Sequence, residues 1–282
     1  MRNTNSHLTA KERDKSSFPL NKLLRQNLIK GRVLDYGSGH GKDVEHLNSL
    51  GYEVVGYDPY FNPQRPKGKF DTIICIYVLN VLETEQQSDV IMRVSCLLNP
   101  EGVAYFAVRR DLRREGFRKH VKHDAYTYQC NVVLKMESVF QNEFTEIYAF
   151  RKFSLVQRKL KSDCVFCALD KETIAENNNS YAIFDKYPVS KGHVLVISKR
   201  HVADYFELNF TEQLSLWKLT NFIQQILKSQ FNPDAFNIGI NAGEVAGQTV
   251  LHMHIHIIPR YKGDVENPIG GVRGVIPWKK EY

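Results

Sequence analysis

The chain has 282 residues, 43% of them hydrophobic and 24% charged, and a formal net charge of +7. At roughly 150 residues per domain this predicts two domains, each with enough apolar material for a core. No apolar run reaches the roughly 18 residues a membrane helix needs, and residues 1–17 are too polar for a secretory leader, so a membrane protein is excluded from the expectation. The positive balance suits an anionic ligand such as a nucleotide or nucleic acid, and equally a basic protein without one. Five cysteines (Cys75, Cys96, Cys130, Cys164 and Cys167) are an odd number, several of them in apolar segments. They argue against a disulfide framework and for a reducing cytoplasm.

In chain order, residues 1–17 read as a frayed tail and residues 20–29 as an amphipathic helix closed by Gly31. A strand at 32–36, a helix at 43–50 closed by Gly51 and a strand at 53–57 follow. Residues 70–77 are an unbroken apolar run, expected of a strand buried on both faces. A helix at 85–98 ends in the turn signal Asn99-Pro100-Glu101-Gly102, before a strand at 103–108. This alternation predicts an α/β, Rossmann-like, doubly wound parallel sheet.

Residues 109–124, RRDLRREGFRKHVKHD, concentrate Arg109, Arg110, Arg113, Arg114, Arg118, Lys119 and Lys122. They read either as a contact for phosphates or as a solvated helix face. Tyr126 and Tyr128 beside them fit base stacking or a core. Residues 154–162 are polar and basic, a linker between a domain at 18–153 and another at 163–282. The second domain shows strands at 181–185 and 193–198, a long helix at 211–229, and strands at 235–241 and 252–259. That is an α+β pattern with an antiparallel sheet.

Two segments carry chemistry. The first is VLDYGSGHGKD (residues 33–43), joining a strand to a helix. Its glycines let a ligand approach the backbone, and the helix start supplies positive potential. Asp58 ends the next strand, placed for ribose hydroxyls. Nicotinamide dinucleotides usually call for G-x-G-x-x-G, whereas here the spacing is G-x-G-x-G after Asp35. With FDTIICIYVLNVL (residues 70–82) and LNPEG (residues 98–102), the segment resembles class I S-adenosylmethionine-dependent methyltransferases over residues 18–153. The resemblance implies S-adenosylmethionine as cofactor. Asp35, Gly37, Gly39 and Gly41 would hold its methionine part and Asp58 its ribose, with Tyr77 bordering the transfer pocket. The methyl acceptor stays open between RNA and a small molecule. Neither an Asn-Pro-Pro-Tyr segment nor a Pro-Cys pair is present, which argues against two common kinds of DNA-base methylation.

The second segment is LHMHIHIIPR (residues 251–260). Strand alternation projects His252, His254 and His256 to one side and Met253, Ile255 and Ile257 into a core. Imidazole serves as nucleophile, general acid or metal ligand. NAGEVAGQT (residues 241–249), just upstream, offers glycines for a phosphate-binding loop. With FDKYPVSKGHVLVISKRHV (residues 184–202) and GGVRGVIP (residues 270–277), this half resembles the HIT (histidine triad) family, which implies a HIT-like antiparallel domain. By that resemblance His254 attacks a nucleotide α-phosphate, while His256 and Gln248 contact phosphate oxygens. Asp185 holds the ribose, and His193, Asn241, Gly247 and Thr249 border the nucleotide pocket. Candidate substrates are a dinucleoside polyphosphate, a nucleoside phosphoramidate or an adenylated end.

Cys164-Val165-Phe166-Cys167 reads as a redox pair or half a zinc site. Some zinc-bearing relatives complete such a pair with two histidines, here His201 and His252. Family resemblance further implies a homodimer formed through the HIT domain. The overall expectation is a bifunctional methyltransferase and nucleotide hydrolase or nucleotidyltransferase. The alternative is a nucleotide sensor regulating an inactive cofactor-binding domain.

Overall fold

A computed structural model describes residues 4–153, 163–168 and 172–280. The expected linker, 154–162, lies outside the described residues. The chain divides into two units, Met1–Lys152 and Phe153–Tyr282.

In the first unit, helix α1 (Phe18–Arg25) starts at Ser17, whose hydroxyl caps the Leu20 N–H, with Pro19 in the first turn. Strand β1 (Val33–Tyr36), helix α2 (Lys42–Ser49) and strands β2 (Val54–Tyr57) and β3 (Phe70–Ile76) follow, then helix α3 (Thr84–Leu97) and strand β4 (Leu98–Arg109). Next come strands β5 (Gly116–Lys119), β6 (Tyr126–Gln129), β7 (Glu137–Gln141) and β8 (Thr145–Phe150). The main sheet has the order β2-β1-β3-β4-β8-β7. Its first four strands are parallel, whereas β8 runs against β4 and β7 against β8. Side-chain alternation splits its core. Ile73, Cys75, Phe106 and Val108 pack with Val90, Ile91 and Val94 of α3. Ile74, Tyr105 and Ala107 pack with Leu20 and Leu23 of α1 and Leu47 of α2. Helices therefore cover both faces of the parallel strands, as a buried β3 requires.

The expected all-parallel sheet is thus corrected to a mixed one. No helix crosses over after β4. The chain instead forms the separate hairpin β5–β6 and then the hairpin β7–β8, whose turn is closed by Asn142 Oδ1 accepting from the Phe144 and Thr145 N–H groups. Consecutive strands joined this tightly can only pair antiparallel. Three further readings change. Basic residues 109–124 form a loop and strand of that first hairpin rather than a helix face. Residues 99–102 are absorbed into β4 as a bulge, with Phe70 opposite Leu98 but Thr72 opposite Val103. The expected frayed tail is ordered from Thr4. Ser6–Thr9 forms a 3-10 turn, Arg13 pairs with Asp43 at 3.3 Å, and the Ser17 N–H donates to Asp43 at 2.6 Å. A buried carboxylate needs such partners, and the tail supplies them.

The second unit holds strands β9 (Ala175–Glu176), β10 (Ser180–Phe184) and β11 (Val194–Ser198), helix α4 (Phe210–Phe231), and strands β12 (Ala235–Gly239) and β13 (His254–Arg260). Its sheet, β12-β13-β11-β10-β9, is antiparallel throughout, and α4 buries Leu216, Leu219, Ile223 and Leu227. The strand starts at His254, so His252 lies just outside it, against the expected start at 252.

Asn80 ties the first unit together. Its side-chain amide donates to the Arg109 and Cys130 carbonyls at 3.1 and 2.8 Å and accepts from the Arg109 N–H at 2.8 Å, while buried. Replacing it with alanine strands three backbone groups. We expect a loss of about 2–4 kcal/mol, read as a lowered urea midpoint for this unit. An unchanged midpoint would show that water replaces the amide.

Candidate functional site

Met253, Ile255 and Ile257 are fully buried, which turns the three alternate histidines to the opposite side, as strand periodicity requires. Each histidine has a different partner. His252 Nε2 lies 2.8 Å from the Ser198 carbonyl. A carbonyl only accepts, so Nε2 carries the hydrogen and Nδ1 keeps a lone pair. His254 Nδ1 lies 2.7 Å from the His252 carbonyl. By the same reasoning Nδ1 of His254 carries the hydrogen, leaving its Nε2 as the basic nitrogen. His256 Nδ1 is 3.1 Å from His193 Nε2, and His193 Nδ1 is 3.4 Å from Asp185 Oδ2. A row of Asp185, His193 and His256 therefore ends beside His254, whose ring centroid is 4.9 Å from that of His256.

Burial holds the His256 imidazole down to about 4, with His254 and His193 adding to the effect and Asp185 opposing it. His193 is lowered in the same way by burial, against the pull of Asp185.

The lone pair on His252 Nδ1 faces three other soft donors. Cys164 Sγ is 3.4 Å from it, Cys167 Sγ 3.5 Å and His201 Nδ1 3.2 Å, and Cys167 Sγ is 3.3 Å from His201 Nδ1. Bond lengths of about 2.3 Å to sulfur and about 2.0–2.1 Å to nitrogen give tetrahedral edges of roughly 3.3–3.7 Å. These four separations, 3.2–3.5 Å, lie close to that range, so the cluster has a donor set and spacing compatible with zinc. Phe166, between the two cysteines, sets its ring edge-on to both His252 and His254, at 5.8 and 5.2 Å between centroids. Its carbonyl accepts from the Tyr181 hydroxyl at 2.6 Å. Sequence reasoning missed Phe166 and Ser198. The first had only its place inside C-x-x-C as a signal, and the second acts through its backbone, for which no side-chain signal exists.

Upstream, Gln248 is buried. Its Oε1 accepts from the Gly243 N–H at 2.8 Å, and its Nε2 donates to the Ala203 and Val250 carbonyls at 2.8 and 3.1 Å. Its amide clamps the loop. Gly247 has φ +87 with open space around the position of a Cβ, so the left-handed backbone is what asks for glycine. Asn241 is half-buried, and Gly247 and Thr249 are exposed.

In the first unit, a cavity of about 1000 Å³ is lined by Gly37, Gly39, Asp58, Tyr77, Asn80 and Arg109 among others. Gly37 has φ +88, and a Cβ there would stand 2.2 Å from Val78. Asp58 Oδ2 accepts from the Gly39 N–H at 3.1 Å, and Oδ1 accepts from the Tyr60 and Phe61 N–H groups. With about four acceptor sites per carboxylate, Asp58 keeps room for one more donor. Tyr77 holds φ +60, rare for a tyrosine and costing about 1–2 kcal/mol. Its hydroxyl bonds Thr145 Oγ1 at 2.8 Å. Asp35 and Gly41 do not line the cavity. Asp35 is buried beneath the loop, where burial and then Asp43 push its carboxyl well above the usual range. Gly41 caps α2 with φ +80.

The HIT domain family model matches residues 168–263, and the Methyltransferase domain model matches residues 10–149. An uncharacterized HIT-like protein of Mycoplasma genitalium is 34% identical over 112 residues, 38% of this chain and 79% of that protein. The bis(5'-adenosyl)-triphosphatase of Dictyostelium discoideum is 44% identical over 88 residues, 31% of this chain and 59% of that protein. The crystal structure of a Zn-bound histidine triad family protein from Mycobacterium smegmatis matches at 32% identity, covering 37% of this chain and 80% of that one, with a TM-score of 0.35. No helix among the described residues is long and apolar enough to cross a membrane.

One consequence concerns pH. An unfolded imidazole titrates near 6.5, and folded His256 near 4. Between these values the unfolded chain binds a proton that the folded chain does not, so stability is present above about 6.5 and drains as pH falls toward 4. The urea midpoint of the second unit should drop across that window, and less steeply in His256→Asn. Equal slopes would mean that His256 is not held neutral.

Proposed function

The chain belongs to the HIT family and carries a methyltransferase domain ahead of its HIT domain, and on that footing we propose that it is a bifunctional enzyme. The HIT half cleaves or transfers a nucleotidyl group, and the first half transfers a methyl group. One observation carries the nucleotidyl reading. The His252 carbonyl takes the hydrogen bond from His254 Nδ1 and leaves Nε2 as the nucleophile. Nε2 attacks the α-phosphorus of a nucleoside polyphosphate, forming an N–P bond as the P–O bond to the leaving phosphate breaks. The positive charge on the ring is held by Nδ1–H against the carbonyl. Water, or another acceptor, then attacks the phosphorus and breaks the N–P bond, and His254 is regenerated. His256 meets phosphate oxygens, and Gln248 holds the 243–249 loop beside it in shape. Asp185 takes the ribose, beside His193 and Asn241. A dinucleoside polyphosphate is the favoured substrate class, since the Dictyostelium relative is named for such an activity.

Cys164, Cys167, His201 and His252 would hold zinc. Such an ion is structural. Held there, it would fix the loop and the ring of His252, whose carbonyl orients His254. In the first half, S-adenosylmethionine supplies the methyl group when bound. The Gly37–Gly39 backbone would hold its methionine part, Asp58 would offer its remaining acceptor site to the ribose, and Tyr77 and Asn80 would border the transfer point. The two units correspond to these two activities. Along α4, Phe210 (79% exposed), Leu214 and Trp217 form an apolar stripe at helical spacing, which supports a homodimer through the HIT domain.

Three outcomes check this reading. Diadenosine triphosphate labelled at the α-phosphate should leave label on the protein, stable in alkali and labile in acid. His254→Ala should abolish both label and turnover, by about 10⁴-fold or more; a labelled, active variant would move the nucleophile elsewhere. Metal analysis of the purified chain should give close to one zinc per chain, falling in Cys164→Ser together with thermal stability. A metal-free, equally stable native protein would reduce the cluster to packed thiols. Light scattering should show a mass near twice the chain's 32.6 kDa, and a monomer would remove the dimer.

A further inference from the structure

One face of the hairpin β5–β6 is used by neither site. In its ladder Phe117 stands opposite Tyr128 and Lys119 opposite Tyr126, so strand alternation gathers these four side chains on one face. Arg118, Thr127 and Gln129 share the other. That second face is the inner one, because Thr127 is buried and Gln129 lines the cavity with Leu112. On the first face Tyr128 packs against the core, while Phe117, Lys119 and Tyr126 look outward. Tyr126 is 57% exposed and Phe117 37%, and Phe117 meets Tyr128 edge to face at 5.2 Å between centroids.

Cations flank this hairpin in the sequence. Arg109, Arg110 and Lys119 are already matched by Asp111, Glu146 and Asp124. Arg113 and Arg114, on the approach to β5, and Lys122, in the turn beyond it, are exposed and enter no ion pair among the described residues. An isolated two-stranded ribbon gains nothing from rings left in water, nor from cations left unmatched. A ligand with both flat bases and phosphates satisfies the two at once. A duplex offers phosphates but keeps the faces of its bases stacked inside, and an acidic protein segment offers charge without rings.

We infer that the β5–β6 hairpin is a binding surface for a single-stranded polynucleotide. Its bases stack on Phe117 and Tyr126, and its phosphates lie against Arg113, Arg114 and Lys122. The inner end of the same ribbon, at Gln129, is a wall of the cavity. That cavity's volume of about 1000 Å³ is at the top of the range for a single small-ligand site. The strand's role as methyl acceptor rests on the methyl-transfer reading above; its binding to the hairpin does not.

The test is fluorescence anisotropy of the full chain with labelled oligothymidine and oligouridine of about 20 nucleotides, a duplex of equal length, and oligoglutamate as competitor. Both single strands should bind, roughly tenfold or more tighter than the duplex, and oligoglutamate should compete poorly. Arg113→Gln, Arg114→Gln and Lys122→Gln together should lower the slope of log affinity against log salt by about 2, at roughly 0.7 for each phosphate no longer neutralised. Tyr126→Ala should cost about tenfold in affinity, and Tyr126→Phe should retain it. Circular dichroism melts confirm that the variants fold. No binding, an equal or stronger grip on duplex, competition by oligoglutamate, or native affinity in Tyr126→Ala would each overturn the inference. S-adenosylhomocysteine binding, measured separately by calorimetry, tests the methyl-transfer reading. If the native chain fails to bind it, that reading falls while the hairpin result stands.

Discussion

The second unit turns on one short hydrogen bond, from His254 Nδ1 to the His252 carbonyl at 2.7 Å. Its direction is forced, because the acceptor has no hydrogen to give, and it decides which nitrogen of the central histidine faces outward with a lone pair. Much of the surrounding structure holds that carbonyl in place. His252 is fully buried, its ring is tied to the Ser198 carbonyl on one side, and its other nitrogen faces the cluster of Cys164, Cys167 and His201. Phe166 packs against both histidine rings from the C-x-x-C turn. The metal-type cluster and His254 are therefore one mechanical unit, joined through a single residue that serves the cluster with its ring and His254 with its backbone.

The neighbouring row of Asp185, His193 and His256 is held differently. Its side chains touch one another, and its two histidines are held toward the neutral form because burial outweighs the one carboxylate nearby. Side by side, the two arrangements give adjacent histidines distinct environments from one repeated motif. The alternation of the strand brings the rings together, while the elements packed behind each ring differentiate them.

The sequence disclosed this site unevenly. The three-histidine spacing and the burial of Met253, Ile255 and Ile257 follow from period-2 geometry and were legible. So was the gathering of Cys164 and Cys167 with His201 and His252, which rested on family resemblance rather than on spacing. The roles of Ser198 and of the His252 carbonyl were not legible, since backbone atoms leave no mark in residue identity. That the amide of Gln248 also clamps its own loop, between the positive-φ turns at Gly243 and Gly247, was not legible. In the first unit, the helix and strand order as far as β4 was readable from apolar periodicity. Beyond it the antiparallel edge and the β5–β6 hairpin were not, because a run rich in arginine and lysine carries little periodicity. The order of the N-terminal residues was hidden for a related reason. It depends on Asp43, whose burial under the tail only the fold creates.

The choice of nucleophilic nitrogen depends on the tautomer of His254, and nitrogen-15 NMR measures that directly. A long-range proton–nitrogen correlation spectrum of the full chain, labelled at histidine and recorded at mildly alkaline pH, shows which ring nitrogen bears the hydrogen. Loss of one signal set in His254→Gln assigns it. A protonated Nδ1 is expected, with an Nε2 at the shift of an unprotonated nitrogen. A hydrogen found on Nε2 would contradict this, because the bond to the His252 carbonyl would then not exist and the proposed attack through Nε2 would fall.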